Sequence, residues 1–501
     1  MTDLRTMEST KRFWTRSACA LLILTPFLQL GVISLILGQN AFASYPVWSD
    51  ETDYWRNLYS FIHMGLPRGY SGIAEYTPMI GTLSVHGPTP LLLYGGFAKV
   101  FGLTFHSIPI FNALWISLGG LVLCLLVKPR ASYALFMSGL LMIYVPAVLY
   151  CVTSMTELFN YGILMLYMAF LLRHHSTGGK LSLILGWAVV CFACLYRITY
   201  FVLFLPLVWQ SGGNRAGKRT ALYGLLALVL SIGLYAFTMA VTAPYPAGFL
   251  YNWLRAKDAG TFIQMFFSHA KSNLKDYFIV ATDSPMQDAF HWLYSGMMGL
   301  CLVGSFLRLT RKAGRIAVET GFDLLVFSCF LMLFIPFAVV VMLYETNDWS
   351  DFRTLSPFLW AVAGLLVLRR RKVLPALVLA GSMAMAVWLF TLPPQGAYQD
   401  EYRFTLQPYS QTVQEACGAI EFDPHAKNPW TNTIRADLCT LQTISQIHPG
   451  MGLLYGWFTP ENTGKSRWIL TDHLKIVVQG YESVVHGRGA KVYRHVESDE
   501  E

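Results

Sequence analysis

Three carboxylates fall within four residues, Asp50, Glu51 and Asp53, inside the aromatic run Trp48-Ser49-Asp50-Glu51-Thr52-Asp53-Tyr54-Trp55. Like charges this close raise one another's proton affinity, and flanking rings exclude water. Both effects suit a general base or a metal ligand. The competing reading is structural, with Asp50 and Asp53 capping a short helix. Glu157 is an isolated acid beside an apolar stretch, so two carboxylates from distant segments can converge on one site. His86, in the turn His86-Gly87-Pro88-Thr89-Pro90, adds an imidazole able to orient a substrate or share a cation with the acids. No HxxxH or CxxC spacing accompanies it, so a structural metal site has no support. The cations that complete the set are Arg353, Arg197 and, more weakly, Lys271 and Lys275. A guanidinium at a membrane boundary grips phosphate bidentately, or else serves as a snorkelling anchor.

The elements that must position these residues are membrane helices. Hydrophobic side chains make up 54% of the 501 residues and charged ones only 13%. A soluble chain carries about twice that share of charge, which excludes a soluble enzyme, a disordered chain and a secreted disulfide scaffold. A span needs about 20 apolar residues. The windows that qualify are Ala18–Leu37, Pro109–Val127, Tyr133–Tyr150, Leu158–Leu172, Ala221–Thr242, Phe290–Leu307, Phe322–Tyr344, Pro357–Leu368 and Val373–Leu392.

The stretch from Leu181 to Gln210 is too long for one helix and has basic residues on both flanks. It reads as two short helices, Leu181–Leu195 and Tyr200–Gln210, turning outside near Arg197. A single tilted helix with a buried Arg is the alternative. With the hairpin, the expected fold class is an α-helical polytopic membrane protein of about eleven spans.

The basic clusters then share one face: Lys11, Arg12 and Arg16; Lys128 and Arg130; Arg173 and Lys180; Arg215, Lys218 and Arg219; Arg308, Arg311, Lys312 and Arg315; and Arg369 to Lys372. That face is cytoplasmic. The net charge of +8 is therefore mainly an orientation signal, with no nucleic-acid partner implied. The N-terminus is expected inside. The run Ala41-Phe42-Ala43 resembles a signal-peptide cleavage site, but the apolar stretch before it exceeds a usual h-region, so an uncleaved first span is preferred.

The expected organisation is a membrane domain over 1–392, with outer loops at 39–108 and 244–286, and a soluble α/β domain over 393–501 outside the membrane. Leu91–Phe101 suits an interfacial helix. In the tail, Ser410–Ile420 reads as a helix and Trp468–Leu470, Ile476–Val478, Glu482–Val485 and Lys491–His495 as strands. Cys417 and Cys439 are the tail's two cysteines; a disulfide and two separate thiols are both open readings.

These residues resemble the GT-C superfamily of membrane glycosyltransferases, which includes the protein O-mannosyltransferases and the lipid A aminoarabinose transferase. The likeness rests on four features: Asp50-Glu51 ahead of Tyr54, the His86-Gly87-Pro88 turn leading to Phe101-Gly102, Glu157, and Arg353 followed by Pro357. It spans about Arg12–Leu392. The family's His-Pro-Pro turn is interrupted here by Gly87 and Thr89, and Thr354 replaces the aromatic that commonly follows the late Arg.

The resemblance implies an inverting transfer of a hexosyl or pentosyl group from a polyprenyl-phosphate donor to a glycan, lipid or protein acceptor. It implies a periplasmic site, in a bacterial inner membrane, with the C-terminal domain on that side. Asp50, Glu51 and Glu157 would be catalytic. Arg353, Arg197 and Lys275 would bind the donor phosphate, while Tyr54 and His86 position the acceptor. No cofactor is demanded; a divalent cation, if used, would fall to Asp50, Glu51, Glu157 and His86. The rival classes are a transporter or flippase, and a polymerase or ligase for lipid-linked glycans. A transporter predicts paired charges near the bilayer midplane, whereas the candidates here gather at one surface.

The orientation is directly checkable. In a cysteine-depleted background, a cysteine at Asp348 reacts with an impermeant maleimide added outside intact cells. One at Lys312 reacts only after permeabilisation. The reverse pattern would remove the topology.

Overall fold

A computed structural model describes residues 2–37, 49–65, 87–213, 217–242, 256, 258–278, 285–313, 324–343, 353–368, 372–391, 411–436, 441–455, 466–471, 480–486 and 490–496. Its helices, in chain order, are α1 (Thr2–Leu37), α2 (Ser49–Met64), α3 (Pro88–Phe101), α4 (Ser107–Val127), α5 (Ala131–Ile143), α6 (Val145–Tyr150), α7 (Phe159–Thr177), α8 (Lys180–Cys194) and α9 (Phe204–Ser211). They continue with α10 (Lys218–Val241), α11 (Ala259–Phe278), α12 (Pro285–Ala313), α13 (Leu324–Leu343), α14 (Ser356–Leu368) and α15 (Val373–Thr391). Four apolar stretches among the described residues are long enough to cross a membrane: Glu8–Ile36, Ser107–Val127, Lys218–Val241 and Asp288–Leu307. Shorter apolar helices lie between them.

The expected hairpin is present. Helix α8 ends at Cys194, Arg197 is extended, and a 3-10 turn (Ile198–Leu203) leads into α9. The expected span Tyr133–Tyr150 is broken. Tyr144 takes an extended conformation (ψ 104°), and Pro146 at the start of α6 lacks the N–H that would continue α5.

Burial sorts the helices by neighbour. From Ser356 to Leu366, α14 is buried all round and so sits inside the bundle. Helix α10 exposes Leu222, Leu225, Leu228, Val229 and Ile232, which suits a lipid-facing span. Helices α4 and α7 approach closely because Gly162 has no Cβ; one placed there would meet Trp115 Cδ1 at 2.3 Å. Small polar residues knit the spans, as expected where lipid gives no hydrophobic drive. Thr25 meets Ser138 at 2.6 Å, Gln29 donates to the Leu141 carbonyl at 2.9 Å, and Ser117 donates to Ile23 at 2.7 Å.

The segment between α10 and α12, expected only as an outer loop, contains helix α11. Asp258 caps it, accepting from the Thr261 N–H at 2.7 Å and its hydroxyl at 2.9 Å. Those bonds lower the Asp258 pKa.

The tail holds helices α16 (Gln411–Gly418) and α17 (Leu441–Gln446) and strands β1 (Thr433–Ala436), β2 (Gly452–Tyr455), β3 (Trp468–Thr471), β4 (Tyr481–His486) and β5 (Lys491–His495). The sheet order is β2-β1-β3-β5-β4, with β1 parallel to β2 and β3, and β5 antiparallel to β3 and β4. Strands β1 and β2 were not expected. Each has four residues, and Arg435 or Gly452 hides the apolar pattern. The expected strand at Ile476–Val478 and the residue Cys439 lie outside the described residues. Cys417 is buried in the tail's core, which pushes its thiol up to about 12.

Helix α2 joins the two parts. Trp55 belongs to the tail's apolar core, with Ile444, Ile447, Met451 and Trp468. Beside it, Arg56 is only 1% exposed. Its guanidinium donates to the carbonyls of Ile447 (2.9 Å), His448 (2.7 Å), Met451 (2.8 Å) and, at longer range, Ile444 (3.4 Å). Three of these carbonyls lie in the turn that follows α17, and those of Ile444 and His448 also accept the backbone N–H groups of Ile447 (3.2 Å) and Met451 (3.0 Å). Arg56→Met should therefore take a donor from each of these carbonyls and destabilise tail docking by about 3 kcal/mol. Faster proteolytic release of the tail and a lower unfolding temperature in detergent are the expected readouts. Arg56→Lys should recover part of the loss.

Candidate functional site

The site builds around residues 151–158, an irregular and fully buried segment between α6 and α7. Irregular backbone at such depth survives only where protein groups satisfy it. Here the partners come from four directions. From α2, the Glu51 carboxylate accepts the Ser154 N–H at 2.5 Å. From α4, Asn112 donates to the Met155 carbonyl at 3.0 Å and accepts from the Tyr94 hydroxyl of α3 at 2.8 Å. From the hairpin, the Tyr196 hydroxyl lies 2.9 Å from that of Thr156 and 3.2 Å from its carbonyl. Within α7, Asn160 donates to the Glu157 carbonyl at 2.8 Å and accepts from Tyr200 at 2.5 Å.

At its centre, Arg197 donates to Glu157 Oε1 at 2.8 Å. The Glu157 side chain is 2% exposed and that of Arg197 15%, so the pair sits largely out of water. Glu157 Oε2 is buried and has no hydrogen-bond partner among the described residues. Neighbouring Tyr196 has its phenol pushed up to about 12. Burial is the main cause; Arg197 pulls it down and Glu157 pushes it up. The hydroxyl therefore stays protonated and able to donate.

Gly87 closes against the same hairpin. It has φ +64°, and a Cβ there would meet the Leu195 carbonyl oxygen at 2.1 Å. Only glycine meets both conditions. Thr89 adds a bond from its hydroxyl to the Phe192 carbonyl at 3.1 Å. The glycine that interrupts the His-Pro-Pro pattern is what lets the turn reach the residues just before Arg197.

Of the residues singled out in the sequence, Glu51, Glu157 and Arg197 come together around residues 151–158. Asp50 lies in the first turn of α2, one position before Glu51; its side chain and the whole of His86 lie outside the described residues. Tyr54 is buried on α2. Arg353 is half-buried in the turn before α14. Three residues on, Ser356 accepts at its carbonyl from Tyr144 (2.8 Å), and its hydroxyl lies 3.4 Å from that of Tyr161. Lys275 is exposed on α11. Two positions before it, Asn273 donates to the Val341 carbonyl near the end of α13 at 2.9 Å. Among the described residues, no group of three His, Cys, Asp or Glu side chains could hold a metal ion.

The sequence reading missed Tyr196, Asn160, Tyr200 and Asn112. Their signal was available, since polar side chains inside apolar stretches mark bonding partners or function.

No protein family and no curated protein matches the chain. Among solved structures, it is similar to the crystal structure of ArnT from Cupriavidus metallidurans bound to undecaprenyl phosphate. The match has 14% identity and a TM-score of 0.43, covering 96% of this chain and 97% of that one. The apo state of the same protein matches with the same identity and TM-score, covering 98% of its chain. At this identity and TM-score, the functional reading stands on the residues of the site.

Breaking a buried pair strands a charge, at about 3–5 kcal/mol. Glu157→Gln and Arg197→Met should each destabilise the bundle on that scale. The double variant should lose less than the sum of the two, as thermal unfolding in detergent would report.

Proposed function

We propose that the chain is an inverting glycosyltransferase that moves a sugar from a polyprenyl-phosphate donor to an acceptor hydroxyl, at the outer face of the membrane. The observation that carries this is the convergence of Glu51, Glu157 and Arg197 on one buried segment at the helix ends. A transporter would instead place its paired charges along mid-span helices. The motif resemblance noted in the sequence supports the same class.

In this reading Asp50, at the start of α2, accepts the proton of the acceptor hydroxyl as that oxygen attacks the anomeric carbon. The bond to the donor phosphate breaks on the opposite face, which inverts the centre, and the phosphate leaves with the electron pair. Arg353 neutralises the charge that builds on it. Lys275 adds to the field, as does whatever positive charge Arg197 retains beyond its pairing with Glu157. Glu51 fixes the segment through the Ser154 N–H. The buried Oε2 of Glu157, which has no hydrogen-bond partner among the described residues, is assigned to accept a hydrogen bond from a substrate hydroxyl once the substrate is seated. Tyr54 and His86 are assigned to positioning the acceptor. Buried aromatics around the site limit water, which would otherwise hydrolyse the donor.

Transfer of labelled sugar from a polyprenyl-phosphate donor in membranes tests this directly. Asp50→Asn should lower turnover by about 10²- to 10⁴-fold, the range for a lost general base. Arg353→Ala should lower it by about 10²- to 10³-fold, the range for a lost electrostatic stabiliser. Wild-type turnover in both variants, at equal protein levels, would overturn the mechanism.

A further inference from the structure

A cleft lies one turn of α2 beyond Glu51, where α2, the 103–106 turn and helix α17 of the tail meet; its wall residue Phe105 accepts at its carbonyl from the Ser154 hydroxyl at 3.4 Å, and the Ser154 N–H is held by Glu51. Its volume is about 330 Å³, and its walls include Trp55, Tyr59, His63, Phe105, His106 and Ser445. That size falls at the lower end of ligand pockets, roughly 300–1,000 Å³. The walls form a ring array. Trp55 stacks on Tyr59 with centroids 5.1 Å apart, Phe105 tilts against Trp55 at 5.2 Å, and His63 meets Tyr59 edge-on at 4.6 Å. The Trp55 indole N–H is spent on the Thr104 carbonyl at 3.3 Å, so Trp55 offers the cleft a ring rather than a donor. The polar side chains at the walls are two imidazoles, the hydroxyls of Tyr59 and Ser445, and that of Thr104, which lies 3.3 Å from the Ser107 hydroxyl and accepts from the His106 N–H at 3.3 Å.

This combination discriminates between occupants. An acyl chain needs only apolar walls and makes no use of hydroxyl and imidazole groups set among aromatic rings. A pyranose ring presents a face of C–H bonds, slightly positive, and a rim of hydroxyls. Aromatic faces are negative and attract the C–H face, while imidazole and hydroxyl groups pair with the rim. No charged side chain is among the lining residues, so a phosphate is poorly matched.

We propose that this cleft is a carbohydrate-binding subsite that holds a pyranose of the acceptor. The ring would rest against Tyr59 and Phe105, with its hydroxyls on His63, His106 and Ser445. The assignment to the acceptor rests on the transferase reading above. It makes that acceptor a glycan or glycolipid, gripped at the junction of α2 and the tail. Because α2 also carries Asp50 and Glu51, one rigid element connects the subsite to the reacting end.

The test uses the full-length protein in a sugar-free detergent and no lipid donor. Saturation-transfer NMR is recorded with methyl pyranosides of glucose, galactose, mannose and N-acetylglucosamine. At least one should receive saturation at its ring protons. Tyr59→Leu, which keeps apolar bulk but removes the ring, should weaken that binding about tenfold or more. Ser445→Phe, which fills the cleft, should do the same, and the exposed change His63→Gln should weaken it several-fold. Trp292→Ala, on the exposed surface of α12, should leave it unchanged. The proposal is overturned if no pyranoside binds, if binding survives Tyr59→Leu and Ser445→Phe, or if hexanol displaces the sugar at equal concentration. Since no donor is present, failure removes the subsite and leaves the transferase reading to its own assay.

Discussion

A carboxylate and a guanidinium removed from water must find each other or forfeit several kcal/mol, and the Glu157–Arg197 contact at 2.8 Å meets that requirement. Much of the surrounding architecture follows from it. Residues 151–158 must leave helical geometry to present Glu157. Their freed backbone groups then need partners, supplied by Glu51, Asn112 and Tyr196. The α8–α9 connection must bend at Arg197, because a continuous helix there would carry the guanidinium into the bilayer. The extended backbone at Arg197 and the positive φ of Gly87 are the local adjustments that let both segments meet.

The same rule acts a second time at Arg56. Its charge is buried against the turn that follows α17, where the carbonyls of Ile447, His448 and Met451 converge on it. Helix α2 therefore has two attachments, Glu51 into the membrane bundle and Trp55 with Arg56 into the tail. The spacing of Glu51 from Arg56 is five residues, little more than one helical turn. A rigid element this short ties the position of the α/β tail to that of the buried 151–158 segment.

Much of this was legible in the sequence. Low charge content and basic clusters indicated a polytopic chain. The excess length of 181–210 with basic flanks indicated the hairpin, because the stretch is about half as long again as one span needs. Asp50-Glu51, Glu157 and Arg197 stood out as charges beside apolar runs. Less legible were β1 and β2, since a four-residue strand containing Arg435 carries no alternation, and that Arg is buried only by its tertiary neighbours. Helix α11 was hidden in a segment read as loop. The break at Tyr144 was signalled by Pro146 but masked by continuous apolarity.

By itself the sequence determined the class of environment and which few charged residues had no reason to be there except pairing or chemistry. These are properties of composition and local spacing, and the bilayer enforces them through the cost of burying charge. Tertiary structure alone decided the partners. Glu157 pairs with Arg197 forty residues away, Glu51 reaches Ser154 over a hundred residues on, and Arg56 holds carbonyls nearly four hundred residues distant. Such choices depend on how helices pack, through contacts like Trp115 over Gly162. No local pattern encodes them, because each partner's signal is only that it is polar and in need of one.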